Sequence, residues 1–227
     1  MMWPVSPRPH LRSVVEIVLY GDVLDPWAWI AERRISLAAD GFHGRFTTLR
    51  HAPLPRRWEP RAPTTAERRA RARELQRAAR EPDAPPLSPA LWSDAGIAPL
   101  GSAPALIAVA AARLGGDAAA EHLRAVLREA ALVEGIDVSR RDVIIELAAR
   151  AGLNLARFLP ALEASATERA LLDEIGRARE LGVDRGPALV IDDDWLVRGL
   201  RSLRDYRLLF KRYLAVRAGT SVEHTVH

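Results

Sequence analysis

Between Val14 and Ile35 the chain changes character once and abruptly. The aliphatic run Val14 to Tyr20 ends, and after Gly-Asp-Val-Leu the pair Asp25-Pro26 opens a stretch with helical spacing. β-Branched and aliphatic residues suit a buried strand. Asp is a preferred cap for the free N–H groups at a helix start, and Pro is favoured at the first helical position, where its missing N–H costs nothing. Beyond it, Trp27, Ile30, Ala31, Ile35 and Ala38 recur at helical spacing, with Glu32, Arg33 and Arg34 as a polar counterpart. The pattern predicts a helix over 26–39 that stops at Asp40-Gly41, where Gly supplies a left-handed residue. Phe46 to His51 then returns as a second strand parallel to the first. This βαβ unit places a carboxylate at the positive end of a helix, directly after a strand.

Cysteine is absent from the sequence. That excludes structural disulfides, thiolate metal sites and dithiol redox chemistry within this chain. No window approaches the roughly 18 apolar residues of a membrane helix. Val14 to Tyr20 is short, carries Glu16 and lacks a small-residue cleavage site, so no secretory signal is expected and a cytoplasmic location is. At 227 residues the chain is long enough for a proper core. Its positive charge is almost wholly arginine, Lys211 being the one lysine, and alanine is abundant. Such a bias reflects base composition, so the high pI is not an argument for nucleic acid.

Residues 1–12 read as a loosely held arm. Prolines punctuate 52–63 around Trp58, which predicts a loop. Thr64 or Thr65 then caps an Arg-rich helix that ends near Glu81-Pro82, and Pro85, Pro86 and Pro89 break the chain again before Trp92. Helical spacing follows over 105–114, 118–133, 139–151, 155–162 and 167–181, with Gly115-Gly116, Gly135 and Gly152 as stops and Ser139 as a cap. No repeat period links these pieces, so they read as a compact helical insertion and not a solenoid. The tail differs. Gly182 to Pro187 leads to Ala188-Leu189-Val190-Ile191, an acidic Asp192-Asp193-Asp194 turn, and Trp195-Leu196-Val197, which together read as a β-hairpin. A last helix carries Leu203, Tyr206, Phe210, Tyr213 and Leu214 on one side, able to cover a sheet.

The corner resembles the DsbA family of thioredoxin-fold proteins, especially its cytoplasmic branch with the FrnE-type oxidoreductases and the Spx adaptor. In that branch a strand runs into an acidic residue, then Cys-Pro-Trp-Cys, then a helix. Here Asp22 matches the acid, Asp25 stands at the attacking cysteine, Pro26-Trp27 match, and Ala28 stands at the second cysteine. The tail is similar too, with Pro187 at the position of the cis proline that faces the corner. The stretches 105–112, 124–135 and 147–158 look like the branch's helical insertion. The resemblance implies an α/β thioredoxin-like fold, discontinuous over 13–63 and 182–218, with a helical insertion at 64–181 and flexible termini at 1–12 and 219–227.

The simplest role for Asp25 is an N-cap worth about 1 kcal/mol. A sharper one makes it a general base or ligand acceptor, against which a well-capped carboxylate is expected to have a lowered pKa. Pro187 either shapes the entry to a strand or leaves the backbone of Arg185 and Gly186 open to an extended segment or a thiol tripeptide, as the family uses it. Trp27, Trp29 and Trp58 are candidates to line the same corner, or else core. The glutathione-binding kappa class and the chromene carboxylate isomerases share the fold with a serine at the corner. Asp25 and Ala28 offer no hydroxyl, and Ser36 and Thr47 are too far along their elements.

Arg68, Arg69, Arg71, Arg73, Arg77 and Arg80 could neutralise phosphates. Glu67, Glu74 and Glu81 interleave with them and no stacking aromatics accompany them, which favours a solvated face. The histidines His10, His43, His51, His122, His224 and His227 lack metal-ligand spacing, and Asp192 to Asp194 lacks the glycine and terminal Glu of a calcium loop. The sequence thus reads as a DsbA-like fold without its own redox chemistry. It is expected to bind an extended peptide of a partner protein, or a small thiol ligand such as glutathione, through Asp25, Trp27, Arg185, Gly186 and Pro187. No metal, membrane or nucleic-acid partner is expected. The rival is a thiol- or glutathione-dependent transferase or isomerase.

Overall fold

The structure is a computed structural model that describes residues 14–93 and 96–219. Apart from Gly219, the termini expected to be flexible lie outside the described residues, as do His10, His224 and His227.

Four strands, β1 (Ile17–Gly21), β2 (Arg50–Pro53), β3 (Ala188–Ile191) and β4 (Trp195–Arg198), form one sheet in the order β2-β1-β3-β4. β1 runs parallel to β2 and antiparallel to β3, which turns back on β4. Both faces of the sheet are covered, so β1 is apolar at nearly every position instead of alternating. Ile17 and Leu19 point to one face, against α1 (Pro26–Asp40) and α8 (Leu203–Arg217), where Ile35, Tyr206, Phe210 and Tyr213 close the core. Val18 and Tyr20 point to the other face, with Ala178 of α7 (Ser165–Glu180) and Val183. Adjacent residues therefore serve different layers and residues two apart share one, as the pleat requires.

The helical half comprises α2 (Thr65–Ala78), α3 (Ala103–Ala112), α4 (Asp117–Leu132), α5 (Arg141–Arg150), α6 (Leu155–Glu163) and α7. Its core is built from Leu106, Val109, Leu123, Leu127, Ile144, Leu147, Phe158 and Leu171. Thr64 and Glu67 form a reciprocal capping box on α2, each side chain bonding the other's backbone N–H.

Several boundaries and roles differ from expectation. The second strand is Arg50–Pro53, later than 46–51, because Phe46 turns into the apolar layer under α8 and makes only an isolated bridge to Val15. Gly41 ends α1 in right-handed geometry (φ −65°), and the left-handed residues are His43 and Gly44. Ser139 does not cap α5; its hydroxyl donates to Asp137 instead. Arg34, read as surface, is buried and forked onto Asp83 at 2.8 and 2.5 Å, with further bonds to Glu81 and to the Arg201 carbonyl. The hairpin turn is as expected, and Asp192 and Asp193 adopt positive φ in it.

Candidate functional site

The site lies where β1 hands over to α1. Asp25 caps α1 through Oδ1, which accepts from the Trp27 N–H at 2.9 Å. Asp22, the residue directly after β1, accepts from the Leu24 N–H at 2.8 Å and the Arg56 N–H at 2.5 Å. Both carboxylates are almost wholly withdrawn from solvent, Asp25 at 2 % and Asp22 at 5 % exposure. Arg56 approaches from the loop after β2, its Nη1 3.7 Å from Asp25 and its Nη2 2.6 Å from Glu74, which Arg71 also holds at 2.8 Å.

Asp25 departs from the low pKa expected of a helix cap. Burial pushes its carboxyl above the ordinary carboxylate range; Arg56 pulls it back, but Glu74 and Asp22 nearby add to the rise, and the Trp27 N–H opposes it. Arg56 stays charged: burial works against its cation, and Asp25, Glu74 and Asp22 more than offset that. One donor of this guanidinium, Nη1, is buried without a hydrogen-bond partner.

A cleft opens over this floor. Asp25, Leu54, Arg56, Arg71, Arg185 and Gly186 are among its walls, with Arg179, Asp184 and Arg198 at its rim. It takes in about 1490 Å³ counting the solvent at its mouth. Asp25, Arg185 and Gly186 therefore border one space, while Pro187 is not among the residues lining it. The Gly186-Pro187 peptide bond is cis. The backbone of Arg185 and Gly186 makes no intrachain hydrogen bond among the described residues. A Cβ on Gly186 would lie 3.3 Å from the Tyr20 carbonyl oxygen and 3.5 Å from Gly21 Cα, so only glycine passes this close to β1 without displacement.

The tryptophans do not join them. Trp27 reaches the corner through its backbone N–H, and its ring is not among the residues bordering the cleft. Trp29 and Trp58 pack on the helical core, Trp29 beneath the guanidinium of Arg128 at 4.6 Å. Ala28 is buried and faces a second, narrower cavity between the sheet edge and α3, α4 and α7.

Sequence reasoning missed what borders that second cavity. His51 on β2 lies between Glu121 (2.8 Å) and Glu32 (3.3 Å), and Glu32 also takes Arg124 at 3.1 Å and Arg128. Burial pushes the Glu32 carboxyl up, but His51, Arg128 and Arg124 together hold it far below the ordinary range. The cluster joins α1, β2 and α4; Glu32 and His51 are 19 positions apart and their α4 partners lie 70 to 96 positions from them, so no local spacing announces it.

A thioredoxin family model matches residues 92–203, just under half of the chain. No curated protein sequence matches. Solved structures do. A structure from Nitrosomonas europaea assigned as a candidate protein disulfide isomerase superposes with TM-score 0.73 at 18% identity, over 89% of this chain and 98% of that one. The cytosolic disulfide reductase DsbM from Pseudomonas aeruginosa, solved with GSH, gives 0.64 at 22% identity over 88% and 98%. A 2-hydroxychromene-2-carboxylate isomerase gives 0.62 at 18% over 91% and 100%. The chain thus has the thioredoxin fold. Helices fill the stretch between its two sheet-forming segments, and Asp25 and Ala28 occupy the positions that the sequence resemblance matches to the two cysteines of Cys-Pro-Trp-Cys.

Proposed function

We propose that this chain is a non-redox binding protein that holds an extended peptide of a partner, or a small ligand, in the cleft between Asp25 and Gly186-Pro187. The observation that carries the reading is the shared cleft: the corner retains its helix start, its acid and its unpaired backbone, and has lost both thiols. An extended segment can pair with the free N–H and C=O groups of Arg185 and Gly186 in the manner of an added strand. Asp25 borders the same cleft, its Oδ1 held by the Trp27 N–H at the start of α1. Cytosolic residence fits the absence of cysteine and is the stated compartment of the similar DsbM.

The reading is tested by capture from cells of the source organism with the natural protein and with Asp25→Ala and Pro187→Ala variants. A partner retained by the natural protein and lost by both variants, with folding verified by circular dichroism, supports it. Retention unchanged in both variants refutes it.

A second reading is a thiol- or glutathione-dependent isomerase or transferase. It is favoured by the likeness to the chromene carboxylate isomerase and to DsbM solved with GSH, and by the raised pKa of Asp25, which suits proton transfer nearer neutrality. Glutathione-dependent isomerisation of an aromatic acid by the purified protein would establish it in place of the first.

A further inference from the structure

The charges around the cleft are unequal. Arg56, Arg71, Arg179, Arg185 and Arg198 border it against two carboxylates, Asp25 and Asp184. Glu74, behind Arg56 and Arg71, offsets one more cation, which leaves an excess of two arginines. Asp184 is shared at long range between Arg198 (3.5 Å) and Arg185 (4.0 Å), and both guanidinium groups are largely exposed. The floor holds the Arg56 guanidinium, whose side chain is 24% exposed and whose approach to Asp25 is the loose one of 3.7 Å. A carboxylate arriving from the cleft would meet this cation with a charge-assisted bond.

The backbone of Arg185 and Gly186 adds direction. A segment pairing there is extended, so its side chains alternate, and those two apart lie about 6.5 Å from each other on one side. One can reach the Arg56 floor while the next meets the Arg179 and Arg198 rim.

We infer that the cleft recognises an extended acidic segment of a partner protein, with aspartate or glutamate at alternate positions and Arg56 as the anchor. This rests on the reading of the corner as a binding site and adds the chemistry of what binds.

The test uses the full chain and two fluorescent, acetylated and amidated pentapeptides. One has glutamate at its second and fourth positions, and the other has glutamine there. Polarisation titrations at low salt should show the glutamate peptide binding about tenfold more tightly, as expected of one or two partly exposed charge pairs, with the preference fading as salt is added. Arg56→Gln should erase the preference. Arg179→Glu, at an exposed position of α7, should reverse it.

Equal binding of both peptides, each lost on Pro187→Ala, overturns the acidic preference and leaves the binding corner standing. Binding of neither peptide, or tighter binding of a short single-stranded oligonucleotide than of the glutamate peptide, overturns the inference. In the first of these cases, competition by glutathione in a thermal-shift assay would mark the corner as a small-thiol site.

Discussion

Arg56 spans two acids of opposite fate: its Nη1 lies 3.7 Å from Asp25, whose carboxyl is pushed up, and its Nη2 lies 2.6 Å from Glu74, whose carboxyl is held down. Both are buried, so burial raises both; Glu74 is brought down by direct bonds from Arg56 and Arg71, whereas Asp25 receives only the longer contact and one backbone N–H. The difference predicts how stability responds to pH. An acid whose pKa is raised on folding holds its proton better folded than unfolded, so stability falls as pH climbs from its ordinary value near 3.8 through the raised one, and stays lower above it. Asp25→Asn, which keeps the oxygen that accepts from Trp27, should therefore gain on the natural protein as pH rises from 4 to 7. Urea midpoints across that range measure it, and a constant gap between the two proteins would refute the raised pKa.

Restoring the sulfurs tests whether the corner keeps its redox geometry. The natural protein should not reduce insulin in the presence of dithiothreitol above the reagent alone, since it has no cysteine. Asp25→Cys with Ala28→Cys should do so, because the first sulfur would sit at the start of α1, where free N–H groups favour a thiolate. A folded double variant with no activity would show that the surrounding charges have made the corner unfit for it.

The Glu32 cluster should be a main tie between the two halves. Glu32→Gln leaves Arg128, Arg124 and His51 around a neutral group, and breaking a buried pair of this kind costs about 3 kcal/mol. Because the Glu32 carboxyl is held down, its contribution is present above its ordinary value of 4.5 and is lost as pH falls toward the lowered one. The cost of the substitution should accordingly shrink in acid, as read from denaturant unfolding at pH 7 and at about pH 3. A cost that is small at neutral pH would mean that the arginines find water instead.

Asp192 binds three residues, one just before β1 and two on α8. Its Oδ1 accepts from the Glu16 N–H at 2.7 Å, and its Oδ2 accepts from the Tyr213 hydroxyl at 3.1 Å and from Arg217 at 2.7 Å. Asp192→Ala should cost about 2 kcal/mol or more, from charge-assisted bonds lost and from the positive φ of 49° that alanine tolerates poorly. Asp192→Asn keeps the turn geometry and an acceptor, and should recover part of the loss in thermal unfolding. Equal losses in the two variants would assign the whole effect to charge.

Much of the fold was legible because its signals are local. The cap at Asp25-Pro26, the cap at Thr64 or Thr65, the hairpin around Asp192 to Asp194 and the apolar stripe from Leu203 to Tyr213 each lie within one element. What failed to show was set by partners distant in the chain. Arg34 reads as surface because its counter-ions, Glu81 and Asp83, come from a loop almost 50 positions on. The elevated pKa of Asp25 comes from Glu74 and from burial, neither of which is visible beside a textually ordinary cap. The cationic lining is likewise assembled from α2, α7, the loop after β2 and β4. In an arginine-rich chain, any one of those residues passes for background.

α7 packs on the sheet face that carries Val18, Tyr20 and Ala52, and Glu174 on that helix grips Arg50 of β2 at 2.9 Å while also reaching Arg113 at 3.3 Å. The helices between the two sheet segments are therefore the cover of an apolar face that would otherwise meet water. Trimming this protein to a minimal sheet with its two flanking helices would lay that face bare, and a shortened form should clump in solution instead of behaving as a smaller copy of the whole.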